Sequence, residues 1–434
     1  MKLKYIIPVS LSLAIAMGSC TQEYLNPNSP TKDVVLASQD GLLGLVVGAK
    51  QTWATGPQYH SVICNGLSSK ELAVLNTGNG ELAALETGKT NVGAANTVVA
   101  SLFSGCHLVK SYAQQLIDNA SNIGDPVVQT GVRAYGHYLK ALAIGTMAQY
   151  WEQVSTEAIS SAEYQNGKRA TFKPRAAAID EAIALLRAAN DLIKATPISS
   201  NAVLTSKIGN DLDLANAIPA LIARYSLMNG KNDDALAFAN AVDLTKKPFW
   251  KYDAVNPNPV FRQALASNNV VGGLTNFGLS GSLLPDSTDG RIPFYLGSAT
   301  LSKATGFFKS DADVIPAYLP SEMTLIKAEA LARQDKVPDA IVELNKILQK
   351  TADPYNVTAK GKAYAGATTK AAVLDEIYKQ RCIELYMSNL KLEDSRRFGR
   401  PNPGLANAER NRDFYPYPLR ERNNNINTPA DPAQ

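Results

Sequence analysis

The chain is poor in the side chains that build metal centres. Four Cys and three His in 434 residues are too few for a multi-ligand zinc or iron–sulfur site, so no protein-ligated metal and no cofactor is expected. A strong charge of one sign is missing as well. Forty-three Lys and Arg stand against 39 Asp and Glu, a formal +4 that is spread along the chain and not gathered into tracts. A nucleic-acid binder concentrates basic residues on one face, so nucleic acid is not an expected partner. Beyond the first twenty residues no segment approaches 18 uninterrupted apolar residues, which excludes a helical bilayer span there. Apolar residues are nevertheless plentiful, at 45% against 19% charged. That is enough to bury a sizeable core as one large or two medium domains.

The first residues are of a different kind. Lys2 and Lys4 precede a mostly apolar run from Ile6 to Met17, and Gly18 and Ser19 lie directly before Cys20. The run is too short to cross a bilayer and reads as a secretory signal over residues 1–19. The cysteine after small residues resembles a bacterial lipobox, which implies that Cys20 carries lipid and anchors the protein to a membrane surface. Removal of residues 1–19 leaves 41 basic against 39 acidic residues, or +2. Residues 20–33, rich in Asn and Pro, read as a tether between lipid and body. Cys64, Cys106 and Cys382 then remain, an odd number that allows one internal disulfide, Cys64 with Cys106, or three buried free thiols.

The body is mainly α. Val128, Val132, Tyr135, Leu139 and Leu142 follow steps of three and four, the stripe of a helix ending near Tyr150. Ile179, Ile183 and Leu186 repeat the step after Pro174, and residues 91–119 make a third long helix. A comparison of the chain with itself at an offset of 105 residues is more informative. Residues 223–236 (ARYSLMNGKNDDAL) lie over residues 328–341 (AEALARQDKVPDAI), so that Ala223 meets Ala328, Lys231 meets Lys336 and Asp234 meets Asp339. Each copy reads as helix, tight polar turn, helix, which resembles a tetratricopeptide-like hairpin. Residues 135–150 with 174–191 form a third candidate. Two stretches rich in Gly and Pro, 52–90 and 244–318, break the helical pattern, and a ligand site is expected where they meet.

Catalytic motifs fail on inspection. Gly88-Lys89-Thr90 ends like a phosphate-binding loop, but Ala83 stands where that loop requires Gly. Ser280 misses the spacing of a nucleophile elbow, and His60, His107 and His137 have no local carboxylate signature. Aromatic residues in the irregular stretches are better candidates. Trp250, Tyr252, Phe277, Tyr295 and Tyr59 offer flat faces to sugar rings or peptide side chains, and Asn76 and Asn79, with Asn276, offer hydrogen bonds. On this reading Trp250→Ala weakens ligand binding without unfolding the protein.

The last hundred residues carry a pattern. Arg381-Cys382-Ile383-Glu384-Leu385 runs on to Lys391-Leu392-Glu393-Asp394-Ser395-Arg396, and Phe414-Tyr415-Pro416-Tyr417-Pro418 precedes an Asn-rich tail. With the lipobox and the early Tyr24-Leu25-Asn26-Pro27-Asn28 stretch, this resembles the SusD/RagB family of outer-membrane lipoproteins. Ser388-Asn389 and Lys391 depart from the family's Glu-Gly and Arg. Asn suits a left-handed turn, while Lys loses the bidentate geometry of Arg. The resemblance implies a superhelix of tetratricopeptide-like hairpins with a loop-rich ligand-binding region. Residues 34–245 would form the N-terminal helical part, 246–318 the ligand-facing segment and 319–434 the C-terminal part and tail. It also implies a cell-surface protein of the outer membrane that is not an enzyme, captures oligosaccharides or peptides and delivers them to a SusC-like TonB-dependent β-barrel transporter. Arg381, Glu384, Asp394 and Arg396 read as ion pairs that hold the C-terminal segment to the body. The competing readings are a lipid-anchored glycoside hydrolase and a helical-repeat scaffold for outer-membrane assembly.

Overall fold

The computed structural model describes residues 31–265, 270–296, 301–302 and 305–433. The signal, Cys20 and the tether as far as residue 30 lie outside the described residues. Three helices open the body: α1 (Lys32–Ala37), α2 (Gln39–Thr55) and α3 (Pro57–Ser68). Lys32 and Asp33, assigned to the tether from sequence, thus already belong to α1. Then come α4 (Gly80–Thr87), α5 (Thr97–Asn119), α6 (Pro126–Tyr150), the short α7 (Ser161–Gln165) and α8 (Arg175–Ala195). The next group is α9 (Ala202–Ile208), α10 (Leu214–Met228) and α11 (Asn232–Asn240). After an irregular stretch holding α12 (Arg291–Tyr295), the chain ends in α13 (Pro320–Arg333), α14 (Val337–Leu348), α15 (Lys370–Glu384), α16 (Lys391–Arg397) and α17 (Leu419–Asn424).

Local chemistry sets these boundaries. Asp125 accepts hydrogen bonds from the Val127 and Val128 N–H groups at the start of α6, where Pro126 takes the first-turn position that needs no donor. Asn96 does the same for α5 through Val98 and Val99. The stretch 52–90, expected as loop, is largely helical. Gly56-Pro57 starts α3, and Gly66 within it is a packing residue: a Cβ there would lie 2.5 Å from Leu72 Cδ1.

Hairpins form the body. Helix α6 packs on α8, α10 on α11 and α13 on α14, while α8 touches α10 and α11 touches α13, so the pairs stack in chain order. The 105-residue repeat holds at the level of single hydrogen bonds. The Lys231 N–H donates to Ser226 O at 2.8 Å, and the Lys336 N–H to Leu331 O at 2.9 Å. One residue earlier, Gly230 and Asp335 both take left-handed conformations, with φ of 73° and 62°. Ala223, Ala328, Ala235 and Ala340 are all fully buried, as expected of small residues where paired helices touch.

Strands are few and short. β1 (Leu72–Val74) pairs antiparallel with β5 (Val271–Leu274), which pairs with β6 (Leu301–Ser302). Two further ribbons join β2 (Gln153–Val154) to β3 (Lys173–Pro174) and β4 (Phe249–Trp250) to β7 (Ile315–Pro316). Cys64, Cys106 and Cys382 are buried free thiols, and burial pushes the Cys64 thiol up to about 12. Among the described residues no helix is long and apolar enough to cross a membrane.

Gly145 of α6 tests the hairpin contact. A Cβ at this position would lie 2.0 Å from Tyr225 Cζ, and the Tyr225 hydroxyl donates to Leu142 O at 3.3 Å. Gly145→Ala gains about 1 kcal/mol of helix propensity. It is expected to lose ~1–3 kcal/mol more than that gain through overpacking. Urea unfolding should therefore show a net destabilised variant; a stabilised one would disprove this account of the contact.

Candidate functional site

The two irregular stretches do meet, through β1 on β5, but the aromatic residues between them face inward. Trp250 is 2% exposed and lies against Trp53 with ring centroids 6.0 Å apart. Tyr252 is buried, and its hydroxyl donates to Ala54 O at 3.0 Å. Phe277 is fully buried, edge-to-face with Tyr386 at 4.8 Å, and the buried Tyr295 donates to Glu384 O at 2.7 Å. Phe294, Phe307 and Tyr355 extend the same cluster. A segment without helical ladders must still bury apolar area, and each of these rings supplies about 150–250 Å². Four of the rings proposed from sequence as ligand contacts, Trp250, Tyr252, Phe277 and Tyr295, are thus placed in the core. Tyr59 is half-buried beside His60, at 4.9 Å.

The amides are exposed but dispersed. Asn76 accepts from the Gly78 N–H in a turn, and Asn79 caps α4 by accepting from the Leu82 N–H. Asn76 follows the C-terminal end of β1 and Asn276 that of β5. In an antiparallel ribbon these are opposite ends. The enclosed cavity at the junction, walled by Trp53, Trp250, Phe308 and Tyr318, measures about 40 Å³, room for a water or two and not for a sugar. Trp250→Ala is accordingly expected to destabilise the fold by ~3–5 kcal/mol. An unchanged melting temperature would return Trp250 to the surface role expected from sequence.

The C-terminal charges are buried and paired. Arg381 (α15) makes two hydrogen bonds to Asp394 (α16), of 2.8 and 3.1 Å. Glu329 (α13) accepts from Arg397 at 2.8 and 2.9 Å and from Arg333 at 2.8 Å. Glu384 meets Arg291 at 3.1 Å and also Lys350. Arg396 bonds Glu393 and Gln149 O, each at 2.6 Å, and reaches Asp413 O. Sequence reading passed over Glu329, Arg291 and the bidentate Arg224–Glu322 pair, whose bonds are both 2.6 Å, because the partners on other elements lie 68 (Arg397 from Glu329), 93 (Glu384 from Arg291) and 98 (Glu322 from Arg224) positions away. The departures from the family pattern are accommodated: Asn389 adopts φ 66°, and Lys391 donates to Phe277 O at 2.6 Å.

Burial alone would raise the Glu329 carboxyl, but Arg397, with Arg381 and Arg333, holds it down at about 2. A folded pKa depressed below the unfolded value near 4.5 contributes stability that is present above pH 4.5 and lost as the pH falls towards about 2. Glu329→Gln is expected to cost ~3–5 kcal/mol at neutral pH by removing the buried carboxylate that Arg333, Arg381 and Arg397 share. Its urea midpoint should also decline less on acidification. A variant as acid-sensitive as the parent would remove Glu329 from this role.

A ligand-sized hollow lies elsewhere. A groove of about 650 Å³ runs between the end of α8, α9, the start of α10 and residues 246–247. Its floor is Tyr135, Ile193, Leu204 and Leu214, and Asn190, Asn210 and Asp213 converge on it, with lysines at the rim. Lys50 fixes one wall, bonding Asp211 at 2.7 Å and Ile208 O at 3.0 Å. Asp213 is held in a left-handed conformation, φ 41°, and accepts from Asn216 at 2.8 Å. An apolar floor with a few convergent polar groups is the usual form of a small-molecule site. None of these residues except Tyr135 drew notice in the sequence. The turn-forming run Gly209-Asn210-Asp211 was the available signal.

No protein-family model and no curated protein matches the sequence. Solved structures do match. A SusD superfamily protein of Bacteroides vulgatus is similar with a TM-score of 0.69 at 12% identity, over 90% of this chain and 98% of that one. A SusD-like carbohydrate-binding protein of the same species gives 0.62 at 15% identity, over 83% and 84%. A SusD homologue of Bacteroides thetaiotaomicron gives 0.69 at 11%, over 93% and 99%. At these identities the likeness is one of fold, and the fold of this chain is that of the SusD superfamily.

Proposed function

We propose that the protein is a cell-surface lipoprotein that captures saccharides and delivers them to a SusC-like, TonB-dependent β-barrel transporter of the outer membrane. The observation that carries this reading is a fold shared over most of the chain with structures described as carbohydrate-binding. The leader and Cys20 support the anchorage to outer-membrane lipid. The groove supports the ligand class, because a carboxylate, amides and ammonium groups around an apolar floor match hydroxyls that both donate and accept. Catalysis is not part of the proposal. Among the described residues that line the groove Asp213 is the one carboxylate, whereas most glycoside hydrolases use a pair.

Calorimetric titration with oligosaccharide and peptide panels tests the reading. Asp213→Asn keeps a residue tolerant of the left-handed turn and removes the carboxylate. It is expected to weaken saccharide binding by about tenfold. The double variant Asn76→Ala, Asn79→Ala should bind as the parent does. The reverse pattern would move the site to the loop after β1, and binding of peptides alone would replace the saccharide. Affinity capture from solubilised outer membranes should retain a large β-barrel transporter; recovery of assembly machinery instead would favour the scaffold.

A further inference from the structure

A second hollow, of about 210 Å³, lies between α5, the loop that leads into α7, and α17. Its base is Lys110, 1% exposed in the middle of α5. Among the described residues its ammonium finds one acceptor, Ser155 O at 2.6 Å, although it carries three donors. Lys50, similarly buried, has a carboxylate and a carbonyl. A buried ammonium with so few partners is costly unless something else accepts from it. One turn earlier on the same face stands His107, whose Nε2 is inaccessible to solvent and has no hydrogen-bond partner. Burial, together with the Lys110 charge, holds this imidazole well below its ordinary pKa, so it is neutral and offers one donor and one acceptor.

The walls add acceptors and donors in balance. Glu157 accepts from the Thr171 hydroxyl at 2.9 Å and Glu421 from the Asn425 amide at 2.7 Å, which leaves each carboxylate capacity for more. At the lip Tyr164 is 45% exposed, with the Arg169 guanidinium 3.8 Å from the centre of its ring.

We infer that this hollow binds a small, neutral polyhydroxylated molecule, a single sugar ring or a linear polyol, with its hydroxyls between Lys110, His107 and the two carboxylates. An anion would meet Glu157 and Glu421 at close quarters. Burial, with Lys140 nearby, also brings the Lys110 ammonium down to about 7, which makes it a weak anchor for negative charge. A cation would face Lys110, Lys168 and Arg169. Hydroxyls satisfy both signs, and the exposed Tyr164 ring at the lip suits the apolar face of a sugar. The volume is enough for one ring. The inference does not rest on the saccharide reading of the groove, which is lined by different residues.

The test uses the full chain with D-glucose, D-glucitol and D-glucuronate as probes, followed by saturation-transfer NMR and calorimetry. Glucose or glucitol should bind saturably, glucose alone marking a sugar-ring site and glucitol alone a linear-polyol site. Glu157→Gln and Tyr164→Ala change partly exposed positions and should each weaken that binding by about tenfold. Asn76→Ala with Asn79→Ala, outside both hollows, should leave it unchanged, and because Glu157 and Tyr164 line this hollow and not the groove, failure here and failure of the groove reading are separable. Binding of glucuronate alone, binding indifferent to both variants, or no saturable binding of any probe overturns the inference.

Discussion

Glu329 sits fully buried on α13 with the guanidinium groups of Arg333, Arg381 and Arg397 around it, and the placement of the C-terminal third follows from that arrangement. A carboxylate removed from water is tolerated only when cations and hydrogen bonds surround it. The cations come from α13, α15 and the end of α16, so these helices take a fixed relation to one another. Arg396 extends the restraint to the last turn of α6 through Gln149 O, and Glu384 extends it to α12 through Arg291. Few of these bonds need add net stability. Their effect is to make every other packing of these helices leave a charge alone.

With α12 and α15 held, the irregular segment can be organised by aromatic rings. Phe277 and Tyr295 contact Tyr386, just beyond α15, and the Tyr295 hydroxyl ends on the backbone of Glu384 itself. Rings that fill the space between loops and helices are then unavailable to a ligand. The consequence is a division of labour: the segment richest in aromatics supplies core, and the ligand-sized hollows fall between helix ends and polar turns.

Much of the fold was legible from sequence because it repeats. A spacing of 105 residues preserves Lys231 and Lys336, and with them a turn whose hydrogen bonds recur one for one. The long stripes of α5, α6 and α8 were equally plain. Glycine misleads here: the stretch 52–90 has the glycine content of a loop, whereas Gly66 within it lets Leu72 approach a helix. The ligand contacts were less legible for a related reason. Aromatic residues in Pro-rich stretches serve ligands or cores alike, and sequence alone does not say which side of the chain they face. Groove residues such as Asn190, Leu204 and Asp213 come from separate elements and share no local motif, so only the fold brings them together.

Buried lysines show how the two kinds of site differ. Lys50 ties α2 to the turn before α10 through Asp211, and Lys391 ties α16 to the backbone of Phe277. Each joins segments far apart in the chain, and the strain of burying an ammonium is answered by a fixed connection. Lys110 joins α5 to Ser155 by one bond, the one acceptor it has among the described residues, and lines a hollow whose other walls carry carboxylates. A purely structural role would be served as well by an apolar side chain at that position, at less desolvation cost. What an apolar side chain cannot do is donate to an oxygen that arrives from solution, and that difference is the physical reason to treat the hollow as a site and not as a packing defect.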